Sequence, residues 1–131
     1  MKQKISNQEL LSVSKLQPFE RYQYFLKRVA DFEVMYTLED NHSNLALAEV
    51  GTVKIISFWS APEYAIACAI DEWNDYKVRE ISLNDFESMV VPEIQDKGLL
   101  INIFSIPDKT GFIVDVNEFN RDLDGELEKY E

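Results

Sequence analysis

The chain has one cysteine and one histidine among 131 residues. Cys68 therefore lacks an intrachain disulfide partner, and Cys68 with His42 is too small a set for a Cys/His zinc centre. No D-x-[DN]-x-[DN]-G calcium loop occurs, so neither a metal nor another cofactor is expected. Glycine and proline number four each, and no repeat, low-complexity tract or linker interrupts the chain. No apolar run approaches the roughly 20 residues that cross a bilayer. Lys2 and Lys4 are not followed by a hydrophobic stretch of leader type. The expected setting is the cytoplasm, away from membranes, as a single domain over residues 1–131 with the first six frayed.

Basic residues are also scarce, at 13 against 24 acids, for a net charge of −11. They are unevenly spread. Residues 1–30 hold six Lys/Arg against Glu9 and Glu20, which leaves seven basic against 22 acidic groups in the other 101 residues. Such a surface repels nucleic acid and draws a basic protein partner.

What is present is 46% apolar and 12% aromatic, enough to bury a core, in the order α-βββ-α-β-α-ββ-α. The predicted fold is α+β, an antiparallel or mixed sheet with about four helices packed on it. A short helix is expected over Gln8 to Leu16, capped by Ser6 or Asn7. From Pro18 to Phe32, Phe19, Tyr22, Phe25, Leu26, Val29 and Phe32 recur at helical spacing. Val34 to Glu39, Leu45 to Val50 and Val53 to Trp59 alternate with turn formers and read as an antiparallel meander. Ser60-Ala61-Pro62-Glu63 has the form of a capping box opening a helix to about Trp73, with Ala65, Ile66, Ala69, Ile70 and Trp73 on one arc. Lys77 to Ile81 reads as a strand and Ser82 as the cap of a helix to Lys97. That helix turns Leu83, Phe86, Met89, Val90 and Ile94 inward, is kinked by Pro92 and is closed by Gly98. Leu99 to Ile106, apolar except at Asn102 and Ser105, predicts a central strand. A loop from Pro107 to Gly111 leads into Phe112 to Val116. Asn117 then caps a last helix with the stripe Phe119, Leu123, Leu127 and Tyr130.

Several segments resemble a known family. They are Arg21-Tyr22-Gln23-Tyr24-Phe25 with Val29-Ala30-Asp31, then Phe58-Trp59-Ser60-Ala61-Pro62-Glu63-Tyr64-Ala65, then the run from Gly98 to Pro107, and the close from Asp122-Leu123 to Glu131. Together they are similar to small bacterial proteins grouped as domain of unknown function 2750, from about Leu11 to the end. The resemblance implies a bacterial source and supports the element boundaries. It implies no activity, cofactor or site residue.

Candidate binding residues are Arg21, Tyr24, Arg28, Trp59 and Ser60. Arg21, Tyr24 and Arg28 fall on one outer helix face at i, i+3 and i+7, where two guanidinium groups flank a tyrosine and suit a phosphate or carboxylate; internal ion pairing is the ordinary alternative. Trp59 and Ser60 stand at a strand-to-helix junction of the kind that holds anions, although Pro62 removes a donor and Glu63 opposes a negative ligand. Ser60 has no nucleophile elbow around it. His42, beside Glu39 and Asp40, is the one imidazole available for acid–base work, and a solvated loop histidine otherwise. Cys68, without basic neighbours, reads as a small buried hydrophobe. Glu72 would lie beside the apolar arc of its helix, partly desolvated or reaching water from the last turn. The leading expectation is a non-enzymatic acidic interaction domain for a protein partner. The alternative is a small hydrolase or isomerase using carboxylates with His42.

Overall fold

The computed structural model describes residues 5–107 and 109–130. Of residues 1–6, expected to fray, residues 1–4 lie outside the described residues, as do Asp108 in the hairpin loop and the side chain of Tyr130, whereas Ser6 is held as a helix cap. Ser6 Oγ accepts from Glu9 N at 3.1 Å to open helix α1, Asn7–Ser14, as the capping preference of serine dictates. Helix α2, Pro18–Phe32, begins on a proline that has no N–H to leave unpaired, and Glu20 Oε1 closes the end by accepting from Gln17 N at 3.0 Å. Tyr22, Phe25, Leu26 and Val29 form its buried arc. Phe19, predicted on that arc, is 52% exposed and meets Phe112 edge-on at 5.3 Å.

The strands divide into two sheets. β1, Val34–Glu39, pairs antiparallel with β4, Lys77–Ser82. β2, Leu47–Val50, and β3, Val53–Phe58, form a hairpin around Gly51, whose φ of +65° suits glycine. β5, Leu100–Ile103, lies parallel to β3, and β6, Phe112–Val114, lies antiparallel to β5, for the order β2-β3-β5-β6. The meander is thus corrected at its first strand. β1 pairs with β4 along its whole length and touches the expected meander only through the bridges Tyr36 to Trp59 and Glu39 to Leu45. The expected central strand holds, because β5 has partners on both sides and buries Ile101, Ile103 and Phe104, while Leu100 is half-buried.

Helix α3 is shorter than its sequence periodicity, covering Pro62–Ala67 with Ala61 as N-cap in place of Ser60. Beyond it Ile70 is extended, Asp71 turns left-handed at φ +53°, and a 3-10 turn spans Asp71–Trp73. Tertiary contacts override propensity here: the Cys68 thiol donates to Ser105 O at 3.4 Å from the residue that ends the helix. Ile66, still within α3, and Ile70, beyond its end, both predicted inward, are exposed. Ser82 Oγ accepts from Asp85 N at 3.1 Å and opens a continuous helical stretch of α4, Leu83–Asp85, a π turn at Phe86–Val90 and α5, Val91–Lys97, ended by Gly98 at φ +62°. Pro92 lacks the N–H that an α-turn would send to Ser88, and the chain absorbs this by closing Val91 N on Phe86 O, five residues back. Met89, expected inward, lies on this wide turn and is exposed. The last helix, α6, Val116–Leu127, is capped by Asp115, which accepts from Glu118 N at 2.8 Å, two residues earlier than Asn117. The core joins one face of the four-stranded sheet to α2, α6 and the π turn, with Phe86 edge-on to both Phe58 at 5.5 Å and Phe119 at 5.4 Å.

Candidate functional site

Alternate residues of a strand face opposite sides, so the second face of the four-stranded sheet carries Ala48 and Val50 from β2, Ile55 and Ser57 from β3, and Leu100 and Asn102 from β5. Among the described residues no helix layer closes it as α2 and α6 close the first. A groove of about 370 Å³ runs over this face, walled by Ile70 to Trp73 and by Ser105 to Pro107 with Lys109 and Thr110. At its floor Ser57 and Asn102 are register partners, and Asn102 Nδ2 donates to Ser57 Oγ at 3.1 Å. Asn102 Oδ1 accepts from Gly111 N at 2.9 Å. Two buried polar side chains inside an otherwise apolar sheet satisfy each other and still line an opening.

Both walls spring from residues in the left-handed region, Asp71 at φ +53° and Phe104 at φ +64°. Asp tolerates that conformation; a bulky phenylalanine there is strained and must be held by its surroundings. Backbone bonds and ring packing hold it. Phe104 N donates to Phe58 O at 3.0 Å, Arg21 Nε donates to Phe104 O at 2.9 Å, and the ring packs on Tyr64 at 4.6 Å. Gly111 completes the fit, since a Cβ there would stand 2.1 Å from Ile103 O. Ser105 O accepts from both Trp59 Nε1 at 2.8 Å and the Cys68 thiol, which ties the loop to the junction after β3. Burial pushes the Cys68 thiol up from its ordinary pKa, so this groove residue is a neutral donor. Asp71, Glu72 and Lys109 are exposed on the rim. Among the described residues no group of three or more His, Cys, Asp or Glu is arranged to hold a metal ion.

A family model described as a protein of unknown function, DUF2750, matches residues 22–123. The chain belongs to this family. Curated proteins give no match. The matched span of this DUF2750 domain takes in the groove floor, Ser57 and Asn102, together with Asp71, Glu72 and Lys109 on its rim.

The residues singled out from the sequence are distributed differently from expectation. Arg21, placed on the outer face of α2, is 2% exposed. Its guanidinium donates to Leu16 O at 2.6 Å, Phe104 O at 2.9 Å and Thr110 O at 3.4 Å, so it clamps the α1–α2 turn and both ends of the groove loop. Burial lowers its pKa. Tyr24 and Arg28 do meet, with the guanidinium 5.3 Å from the ring centroid, but Glu9 joins them from α1. Arg28 Nη2 donates to Glu9 Oε2 at 2.9 Å, and Tyr24 donates to the same oxygen while standing 3.1 Å from the Tyr64 hydroxyl. Burial, followed by the bond to Glu9, raises the Tyr24 pKa; for Arg28 burial acts downward but Tyr24 and Glu9 outweigh it. The basic cluster is therefore an α1–α2–α3 fastening, the ordinary outcome for such residues. Trp59 and Ser60 are buried, at 0% and 1%. His42 is exposed in a loop whose Asp40 carboxylate accepts from His42 N at 2.8 Å and Asn44 N at 2.9 Å, contacts that hold Asp40 below the usual carboxylate range. Glu39 turns instead to Arg79 at 3.5 Å. Glu72 is exposed because α3 ends before reaching it. Ser57 and Lys109 were not legible as site residues, whereas Asn102, a polar interruption in an apolar run, was the signal available.

Proposed function

We propose that the chain is a non-enzymatic interaction domain of the bacterial cytoplasm whose groove takes an extended, basic segment of a partner protein. The observation that carries this reading is the meeting of exposed apolar Val50 and Ile70 with a rim on which Glu49, Asp71 and Glu72 outnumber Lys109. β2 is an edge strand of its sheet, so a partner segment can add along its free backbone while alternate side chains enter the groove. Asn102 and Ser57 supply polar contacts at the floor, and the net charge of −11 favours a cationic partner over nucleic acid. The alternative of a hydrolase or isomerase using His42 is the less favoured reading, since His42 is exposed outside this groove, Asp40 accepts from its backbone N–H and Glu39 pairs with Arg79.

The test is selection from a random peptide library on the immobilised chain, followed by calorimetry of the enriched peptides. Enrichment of sequences alternating Lys/Arg with aliphatic or aromatic residues is expected. Their affinity should fall about tenfold or more in an Ile70→Ser, Asp71→Asn, Glu72→Gln triple variant, a loss of about 1.4 kcal/mol. Those positions are exposed, and asparagine tolerates the backbone of Asp71, so circular dichroism should be unchanged. Enrichment of acidic peptides, or undiminished binding by the variant, would overturn the reading.

A further inference from the structure

A second cleft, of about 300 Å³, lies on the other side of β2 between the loop after β1 and the helical stretch from the π turn to α5. Its floor is apolar, with Ile56, Val90, Ile94 and Leu99 all less than a tenth exposed. Its mouth carries Arg79 from β4 and Lys97 from the last turn of α5, with Glu93 as the acid among the lining residues. Basic side chains are scarce in this part of the chain. Residues 31–131 hold seven basic groups against 22 acids, and two of those seven line this one cleft. Each cation is held by a half-exposed or exposed ion pair, Arg79 to Glu39 at 3.5 Å and Lys97 to Glu93 at 2.9 Å. Exposed pairs of this kind contribute little, so either side chain can swing partly away from its glutamate and share its donors with a ligand anion. The π turn forms one wall and carries Met89, 57% exposed, at the cleft. Methionine adapts its shape to apolar ligands, and π turns recur at functional sites.

From this juxtaposition of a buried apolar floor with two cations at the mouth we infer that the cleft binds a small amphipathic carboxylate, its aliphatic or aromatic body on Ile56, Val90, Ile94 and Leu99 and its carboxylate between Arg79 and Lys97. The volume stands at the low end of the roughly 300–1,000 Å³ of ligand pockets, which fits a short-chain acid rather than a large cofactor. The site is separate from the groove proposed for a protein partner, and it stands or falls independently of that reading.

Octanoate is the probe, with 1-octanol as the same chain bearing a neutral head. Each is titrated into the full ¹⁵N-labelled chain at constant ionic strength and followed by amide shifts. Octanoate should give saturable shifts centred on Leu45, Val90, Ile94, Lys97 and Leu99, and should bind about tenfold or more tighter than octanol. In an Arg79→Gln, Lys97→Gln double variant, whose unperturbed amide spectrum elsewhere certifies the fold, octanoate should drop to the level of octanol. Absence of saturable shifts in the native chain, equal affinity for the two probes, or undiminished octanoate binding by the double variant would each overturn the inference.

Discussion

The two faces of the four-stranded sheet are built from alternate residues of the same strands, yet they are used differently. On one, Ile56, Phe58, Ile101, Ile103 and Val114 are all apolar and at most 3% exposed, beneath α2, α6 and the π turn. On the other, Ile55 is as deeply buried, but the centre is the hydrogen-bonded pair Ser57 and Asn102, and the margin of Ala48, Val50 and Leu100 is half-buried or exposed. Burial of apolar area drives folding, so the first face supplies the driving force. The second face makes fewer demands on packing, and this frees it to carry the recognition proposed above.

The sharpest way to break that contrast is to truncate each face in turn. Ile103→Ala should cost about 2–5 kcal/mol, because a fully buried site leaves a cavity. Leu100→Ala, half-buried on the groove side, should cost about 1 kcal/mol. Urea melts measure both, and equal losses would erase the distinction between the faces.

A somewhat smaller effect is expected where the groove is fastened to the core. Arg21→Met keeps the aliphatic stem but removes the donors to Leu16 O, Phe104 O and Thr110 O. An unpartnered buried acceptor costs roughly 1–3 kcal/mol, so a loss of about 3 kcal/mol is expected. Hydrogen exchange should rise first in residues 104–111. Loss of stability without faster exchange there would contradict the clamp.

Arg21 also illustrates why this part was not legible in the sequence. A helical wheel gives every helix one wet face, and Arg21 falls on it. The carbonyls that claim its guanidinium come from a turn five residues away and from a loop more than eighty residues away. The apolar stripe of α2, the caps at Ser6 and Ser82, the stop at Gly98 and the central position of β5 were legible because each is decided within a few residues by periodicity, a side-chain oxygen or a left-handed φ. The end of α3 was not, because its wheel continues smoothly to Trp73 while a carbonyl at Ser105 captures Cys68. The groove itself follows from the register of β3 beside β5, which places Ser57 next to Asn102 across 45 residues of sequence.

The smallest effect concerns the two-stranded sheet, which shares the core through Met35, Leu38 and Ile81. Tyr36 donates to Glu80 Oε1 at 3.2 Å. Burial first, then the charge and hydrogen bond of Glu80 and the charge of Glu63, push its pKa from 10.0 up to about 12. The folded form holds this proton more tightly than the unfolded chain, so the contribution is complete below pH 10 and is lost as pH rises toward 12. Tyr22, Tyr24 and Tyr64 are raised as well, so the informative quantity is a difference. Between pH 10 and 12 the urea midpoint of the native chain should fall more steeply than that of Tyr36→Phe. Parallel curves would contradict the assignment.

The division of labour between the faces is tested most directly by an amide-resolved NMR titration of the labelled chain with an extended peptide alternating lysine and valine. Binding at the groove predicts saturable shifts along Ala48 to Val50, at Ser57 and Asn102, and on both walls from Ile70 to Trp73 and from Ser105 to Thr110, with the core-face amides of α2 and α6 unmoved. Shifts confined to α2 and α6, or no saturable shift at any amide, would contradict it.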